Sequence, residues 1–150
     1  MFYGEYLSHV DDRDRGMLPA ELRKCLDEEC GSAVLYVTLG PDGCIELCPP
    51  SEWRRRLLAL RQVPFARGRA RRFRRTMSAF TERSALDQNG RFRIPHKLLD
   101  QAGIDGEVMI IGSFDGIEMW DRNRWRTIRE EALREFNNDA EQVFGLQSDT

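Results

Sequence analysis

Two carboxylate–arginine pairs in this chain share one spacing. Asp11 stands four residues before Arg15, and Asp87 stands four before Arg91. The segments VDDRDRGMLPAELR (10–23) and LDQNGRFRIPHKLL (86–99) align without a gap, pairing Asp11 with Asp87, Arg15 with Arg91, Pro19 with Pro95 and Leu22 with Leu98. An arginine leaving a turn is a planar fork of five donors, shaped for phosphate oxygens or a guanine edge. An aspartate opening a turn accepts hydrogen bonds from the turn's backbone N–H groups and can hold a neighbouring arginine in place. Arg13 lies in the first turn, and Arg93 lies two residues past Arg91 on the same strand face. Taken bare, the motif also fits a hairpin with a surface ion pair worth about 0–1 kcal/mol.

Other chemistry is poorly supported. Asp11, Asp12 and Asp14 cluster as solvated turn residues do, and His9 and His96 fall at different places in the two segments. There is no glycine-rich phosphate loop, nucleophile elbow or H-E-x-x-H pair. We expect no enzyme and no catalytic residue. Cys25, Cys30, Cys44 and Cys48 are spaced C-x4-C and C-x3-C, which misses the tight zinc knuckle. Reduced, partly buried thiols are expected, with no metal and no cofactor.

The 150 residues are 41% hydrophobic and 32% charged, the balance of a folded domain or of two small ones sharing a core. No apolar run is long enough to span a bilayer. The N-terminus has no signal-peptide pattern, so the cytoplasm is the expected location. Net charge is −2, but its distribution is uneven. Ten arginines and no acidic residue lie between Arg54 and Arg75, which leaves the rest of the chain strongly negative. Such asymmetry marks a nucleic-acid contact, a subunit contact or a solvated helix face.

The elements that must position the two motifs also repeat. YLSHV reads as a strand, DDRDRG as a turn, MLP as a short strand, and PAELRKCL as a helix with Pro19 at its first position. AVLYVTL and CIELC read as strands around the turn GPDG, followed by the helix PSEWRRRLLALRQ with Ser51 as a plausible cap. The second half gives TERSAL, DQNGR, FRI, PHKLLDQAG closing at Gly103, EVMIIG, SFDG, IEMW and a helix from DRNRW onward. The offset between copies falls from 76 to 72 within the unit, bringing Trp53 opposite Trp125. Between the copies, VPFARGRARRFRRTMSA ends as a basic helix with Phe73 and Met77 on one face. The polar tail after Phe136 is expected to fray.

The stretches MFYGEYLSHVDDRDRGMLP, LDQNGRFRIP, YVTLGPDGCIEL and VMIIGSFDGIEMWD together resemble the MraZ family, over residues 1 to about 136. These are bacterial transcriptional regulators built from two tandem AbrB-type (SpoVT-AbrB, swapped-hairpin) DNA-binding units. The resemblance implies an α+β fold. Two tandem AbrB-like β-hairpin/helix units would form a shared double swapped-hairpin β-barrel core with flanking helices. Unit one would span 5–52 and unit two 81–124. An Arg-rich helical connector would span 53–80, and a C-terminal helix with its frayed tail 125–150. The resemblance further implies a ring-shaped homo-oligomer that binds tandem promoter repeats in double-stranded DNA. It would repress its own division and cell-wall (dcw) gene cluster and sit in the cytoplasm on the nucleoid, with no membrane or small-molecule partner. Carried onto this chain, Arg15 and Arg91 are the DNA contacts, with Arg13 and Arg93 beside them, and Asp11, Asp87 and Gly90 organise the turns. Asp14 stands where the second copy has Gly90, which makes the second hairpin the expected stronger contact. Phe80 and Thr81 replace a small pair common in the family. Two alternatives stay open: an antitoxin-type protein-interaction module, and a ring scaffold that binds nucleic acid without sequence preference.

Overall fold

The two most apolar runs form inner strands of a sheet. In a computed structural model, which describes residues 1–145, they form β3 (Val34–Leu39) and β7 (Glu107–Gly112). Each turns back onto the strand that follows it, β4 (Ile45–Cys48) and β8 (Ile117–Asp121). These two hairpins join side by side, with Ile45 opposite Met119, Glu46 opposite Glu118 and Leu47 opposite Ile117. The outer strands are exchanged. β1 (Glu5–His9) of the first half pairs with β7 of the second, and β5 (Glu82–Ala85) of the second pairs with β3 of the first. The resulting antiparallel sheet runs β1-β7-β8-β4-β3-β5 and is symmetrical in order about its middle.

The remaining strands, β2 (Arg15–Met17) and β6 (Arg91–Arg93), pair with each other as a separate ribbon. The expected barrel therefore does not close, and the large sheet keeps two edges. The cause lies at the seams between edge strand and ribbon. There, serine hydroxyls take the place of a continuous ladder: Ser8 Oγ donates to the Met17 carbonyl and Ser84 Oγ to the Arg93 carbonyl, both at 2.9 Å. A single backbone bridge, Val10 to Gly16, adds to the first seam.

Alternation along the strands sorts the two faces. Leu35, Val37, Ile45, Leu47, Ile110 and Met119 are fully buried on one face, in a core shared with Leu18, Phe92 and Ile94 of the ribbon segments. Helices α1 (Ala20–Cys30) and α4 (His96–Ala102) add Leu22, Leu26, Leu98 and Leu99 to that core. The opposite face carries Tyr36, Glu46, Glu118 and Trp120. There α2 (Pro50–Arg61) stacks Trp53 on Tyr36 with ring centroids 5.3 Å apart. The long helix α5 (Arg122–Phe144) sets Trp125 against Trp120 at 5.8 Å. Between the halves runs α3 (Gly68–Ala79). It ends at Phe80, which packs against the core, and at Thr81, whose hydroxyl lies 2.8 Å from that of Thr38. That contact settles how the larger Phe80–Thr81 pair is accommodated.

Several boundaries differ from the sequence reading. Pro19, Pro49 and Pro95 sit just outside their helices, at the capping position, so Ser51 lies inside α2 and caps nothing. β2 starts at Arg15, two residues before the expected MLP strand, because pairing with β6 extends it. The tail after Phe136 does not fray there, since α5 runs on to Phe144. Extending an existing helix is cheap compared with nucleating one, and Ala140, Glu141 and Gln142 are good helix formers. The end of the expected frayed segment, residues 146–150, lies outside the described residues.

Gly16 lets the ribbon lie directly on the core. A Cβ there would sit 2.9 Å from Phe92 Cζ, 3.0 Å from Ile94 Cδ1 and 3.2 Å from Met119 Cε. Gly16→Val is expected to destabilise the fold by about 1–3 kcal/mol, the usual cost of overpacking. Urea denaturation measures this, and an unchanged midpoint would show that the ribbon is not seated on the core.

Candidate nucleic-acid interface

Both motif aspartates act on the backbone first. Asp11 Oδ1 accepts from the backbone N–H of Arg13 at 3.0 Å and of Arg15 at 2.9 Å. Asp87 Oδ1 accepts from Asn89 at 2.8 Å and Arg91 at 2.9 Å in the same pattern. Each turn is also closed by backbone bonds, Asp11 with Arg15 and Asp87 with Arg91, both at 2.9 Å. The Arg15 N–H bond, chiefly, holds the Asp11 carboxyl below its ordinary range, against a smaller opposing effect of desolvation. The Arg91 N–H bond does the same for Asp87, with the charges of Arg91 and Arg15 adding to it.

The turns need a residue with positive φ at their fourth position. Gly90 supplies it at φ 80° and Asp14 at φ 57°. The strained position is thus occupied in both copies, by glycine in one and by a residue that tolerates the left-handed region in the other. Their carbonyls then lock the copies together. Ile94 N–H donates to Asp14 O, and Leu18 N–H donates to Gly90 O, both at 2.9 Å.

Ribbon register decides where the arginines point. Arg15 lies opposite Arg93, Gly16 opposite Phe92, and Met17 opposite Arg91. Gly16 and Phe92 are buried, so Arg15, Arg91 and Arg93 share the outward face. The two turns sit at opposite ends of that three-residue ribbon, with Arg13 exposed in the first. Three of the four sequence-predicted arginines, Arg15, Arg91 and Arg93, are therefore brought onto one face, with Arg13 exposed in the first turn and Asp11, Asp87 and Gly90 in the turns at the ribbon's ends.

The arginines are not equivalent. Arg15 Nε donates to Asp11 Oδ2 at 2.9 Å, so the aspartate holds both the turn and the side chain. Arg93 Nε lies 3.3 Å from Glu82. Arg91 and Arg13 have no side-chain hydrogen bond or ion pair among the described residues. Asp14 is held as well, its Oδ2 lying 3.1 Å from His96 Nδ1, while His96 Nε2 lies 3.3 Å from Asp100. Sequence reasoning missed this histidine bridge between the first turn and the second unit's helix. It also missed Arg23, whose Nη1 would lie only 2.5 Å from a Cβ on Gly90. The paired serines could have been found, because Ser8 and Ser84 keep the motif's own offset. Arg23 carried no such signal, since its counterpart is Leu99.

Among the described residues no group of three or more His, Cys, Asp or Glu side chains is placed to hold a metal ion. The cysteines are unpaired, and burial pushes the Cys48 thiol up to about 12. No helix among those residues is long and apolar enough to cross a membrane.

Two interleaved copies, each with an aspartate-organised turn and an outward arginine, define a duplicated swapped-hairpin protein. Comparison with known proteins gives the family. A family model described as "MraZ protein, putative antitoxin-like" matches residues 1–76 and again 77–146. The chain is 36% identical over 146 residues to "Transcriptional regulator MraZ" of Syntrophomonas wolfei, covering 97% of this chain and 99% of that protein. It is 34% identical over 143 residues to the protein of that name from Heliobacterium modesticaldum, covering 95% and 96%. The chain belongs to the MraZ family, whose curated members are named as transcriptional regulators rather than enzymes.

Because both aspartates titrate below the ordinary carboxylate range, their contribution to turn stability is complete above that range. It is lost as pH falls through the depressed values. The protection factors of the Arg15 and Arg91 amides, taken relative to intrinsic exchange at each pH, are expected to fall together on acidification below about pH 4. An NMR pH titration that left both amides protected after the two carboxyls had protonated would contradict this. Gly90→Ala is expected to cost about 1–2 kcal/mol, since φ 80° disfavours any Cβ. Thermal melting reads that loss.

Proposed function

We propose that this chain is a sequence-specific DNA-binding transcriptional regulator that reads tandem promoter repeats through its paired hairpins. The observation that carries the reading is the shared outward face of Arg15, Arg91 and Arg93 on one two-stranded ribbon. A ribbon of this kind fits the major groove, which is about 12 Å wide, where an arginine can grip a guanine edge or nearby phosphates. The aspartates do not oppose this role, because their oxygens are turned into the hairpins by backbone N–H groups.

One ribbon offers too few contacts for useful affinity at cellular salt. A ring-shaped homo-oligomer that repeats the ribbon at fixed spacing, facing repeats of matching spacing, multiplies affinity through effective concentration. Occupying a promoter in this way represses it by excluding polymerase. By family resemblance the target is the division and cell-wall gene cluster downstream of the chain's own gene, and the site of action is the cytoplasmic nucleoid. Arg91, unpaired beside Gly90, carries a larger share of the contact than Arg15, which Asp11 restrains and which has Asp14 nearby.

Fluorescence anisotropy with DNA bearing one or three upstream repeats tests the reading. Three repeats are expected to bind far more tightly than one, and equal affinities would refute the multivalent mechanism. Arg91→Ala is expected to lose about 1–3 kcal/mol of binding, with a smaller loss for Arg15→Ala. Equal losses would remove the asymmetry, and no loss in either would remove the site.

A further inference from the structure

The distal half of α5 makes no ion pair or side-chain hydrogen bond among the described residues of its own subunit. Its first two turns are fixed: Glu5 Oε2 accepts from Trp125 Nε1 and from Arg129 Nε, both at 3.1 Å, and Arg124 Nη2 donates to the Asp42 carbonyl at 3.0 Å. Beyond Arg129 the helix leaves the body, and no glycine or proline interrupts it before Phe144. Leu133, Phe136, Ala140 and Val143 follow one another at steps of three and four, making an apolar stripe on one side. Phe136 is 66% exposed and Val143 68% exposed. An isolated helix gains nothing from holding such a stripe in water, so the stripe implies a cover.

A cover of matching character exists on the first half of the chain. Between α2 and α3 lies a groove of about 610 Å³, lined by Leu57, Leu60, Val63, Phe73 and Met77 with Arg56 at its border. Phe73 is 55% exposed there. The two helices framing the groove hold most of the ten-arginine stretch, and Arg54, Arg61, Arg69, Arg72 and Arg75 make no ion pair among the described residues. The arm carries the opposite charge. From 130 to 144 it has Glu130, Glu131, Glu135, Asp139 and Glu141 against the single base Arg134, and none of these acids is paired among the described residues.

We propose that the α5 arm of one subunit docks in the α2–α3 groove of the next copy of this chain. The arm cannot reach its own groove without breaking an uninterrupted helix already clamped by Glu5. Two arms packed on each other would set acid against acid, which disfavours a symmetric pair. Arm and groove are different surfaces, so the contact is head-to-tail, and repeated contacts of that kind close into a ring when their rotation permits. The inference deepens the ring reading above and rests on it by naming the surfaces that build the ring.

Two full-length variants test it by analytical ultracentrifugation. Phe136→Asp spoils the arm and leaves the groove, while Phe73→Asp spoils the groove and leaves the arm. Both positions are exposed, so each variant should keep the wild-type circular dichroism, while its melting temperature falls only by the lost subunit contact. Each is expected to lose the wild-type oligomer and sediment as a monomer. Mixed in equal amounts they should form a dimer and stop there, because only one functional arm and one functional groove meet. Persistence of the wild-type oligomer in either variant would overturn the arm–groove contact while leaving the ring intact. Loss of the oligomer in both without a dimer on mixing would overturn the head-to-tail arrangement. A wild-type chain that stays monomeric at all concentrations would remove the ring reading itself, and this contact with it.

Discussion

Two reciprocal hydrogen bonds govern the molecule. Leu18 N–H reaches Gly90 O, and Ile94 N–H reaches Asp14 O. Each hairpin turn thus ends on the partner hairpin's strand, and neither turn is complete without the other copy. Three features follow from that exchange. The ribbon must lie antiparallel with Arg15 opposite Arg93, which places the arginines on one face. Gly16 and Phe92 must point inward together, which seats the ribbon on the shared core. The outer strands β1 and β5 must cross to the opposite half, which ties the large sheet to the ribbon. The proposed DNA-contact surface is therefore a product of the duplication and belongs to neither copy.

The duplication is not kept evenly. At the middle of the sheet Glu46 faces Glu118 across the pseudo-twofold. Glu46 is paired with Arg56, whereas the matching position in α5 is Ile128. Glu118 instead accepts from the Trp120 indole at 3.2 Å, and burial with the neighbouring Glu46 raises its pKa. The same divergence appears at the rim, where Asp14 and His96 bridge on one side and Arg23 overlies Gly90 on the other. Once two copies are fused in one chain, each site experiences only its own surroundings. Residues that broke the symmetry could then specialise: the second half gained the less encumbered arginine and the long arm, and the first gained the basic groove.

Much of this was legible in the sequence because the signals were local. Proline before a helix, glycine after one, alternating apolar strands and a motif repeated at constant offset all report on neighbours a few residues away. The swap was not legible from periodicity, since β1 reads the same whether it pairs with β3 or β7. It came only through family resemblance. The openness of the barrel was hidden for a related reason: it depends on Ser8 and Ser84 taking a carbonyl where a ladder bond would otherwise form. Asp14 shows the limit of residue preference. Its type only tolerates the left-handed turn that glycine favours, and the backbone adopts φ 57° with its carbonyl taken by Ile94 N–H. The tail misled in the opposite direction, since polarity suggested fraying where α5 simply propagates.

The exchange of outer strands also orders events in time. β1 is made about a hundred residues before β7, its only ladder partner among the described residues. At ribosomal rates of roughly 5–20 residues per second it waits some seconds without a partner. During that wait β1 is a bare strand with both edges open, able to meet the β7 of a neighbouring nascent chain. Its alternating exposure, with Glu5 and His9 at its ends, dilutes the stickiness of such an edge. For the assembly proposed above, each copy must therefore finish its own internal swap before it meets the others.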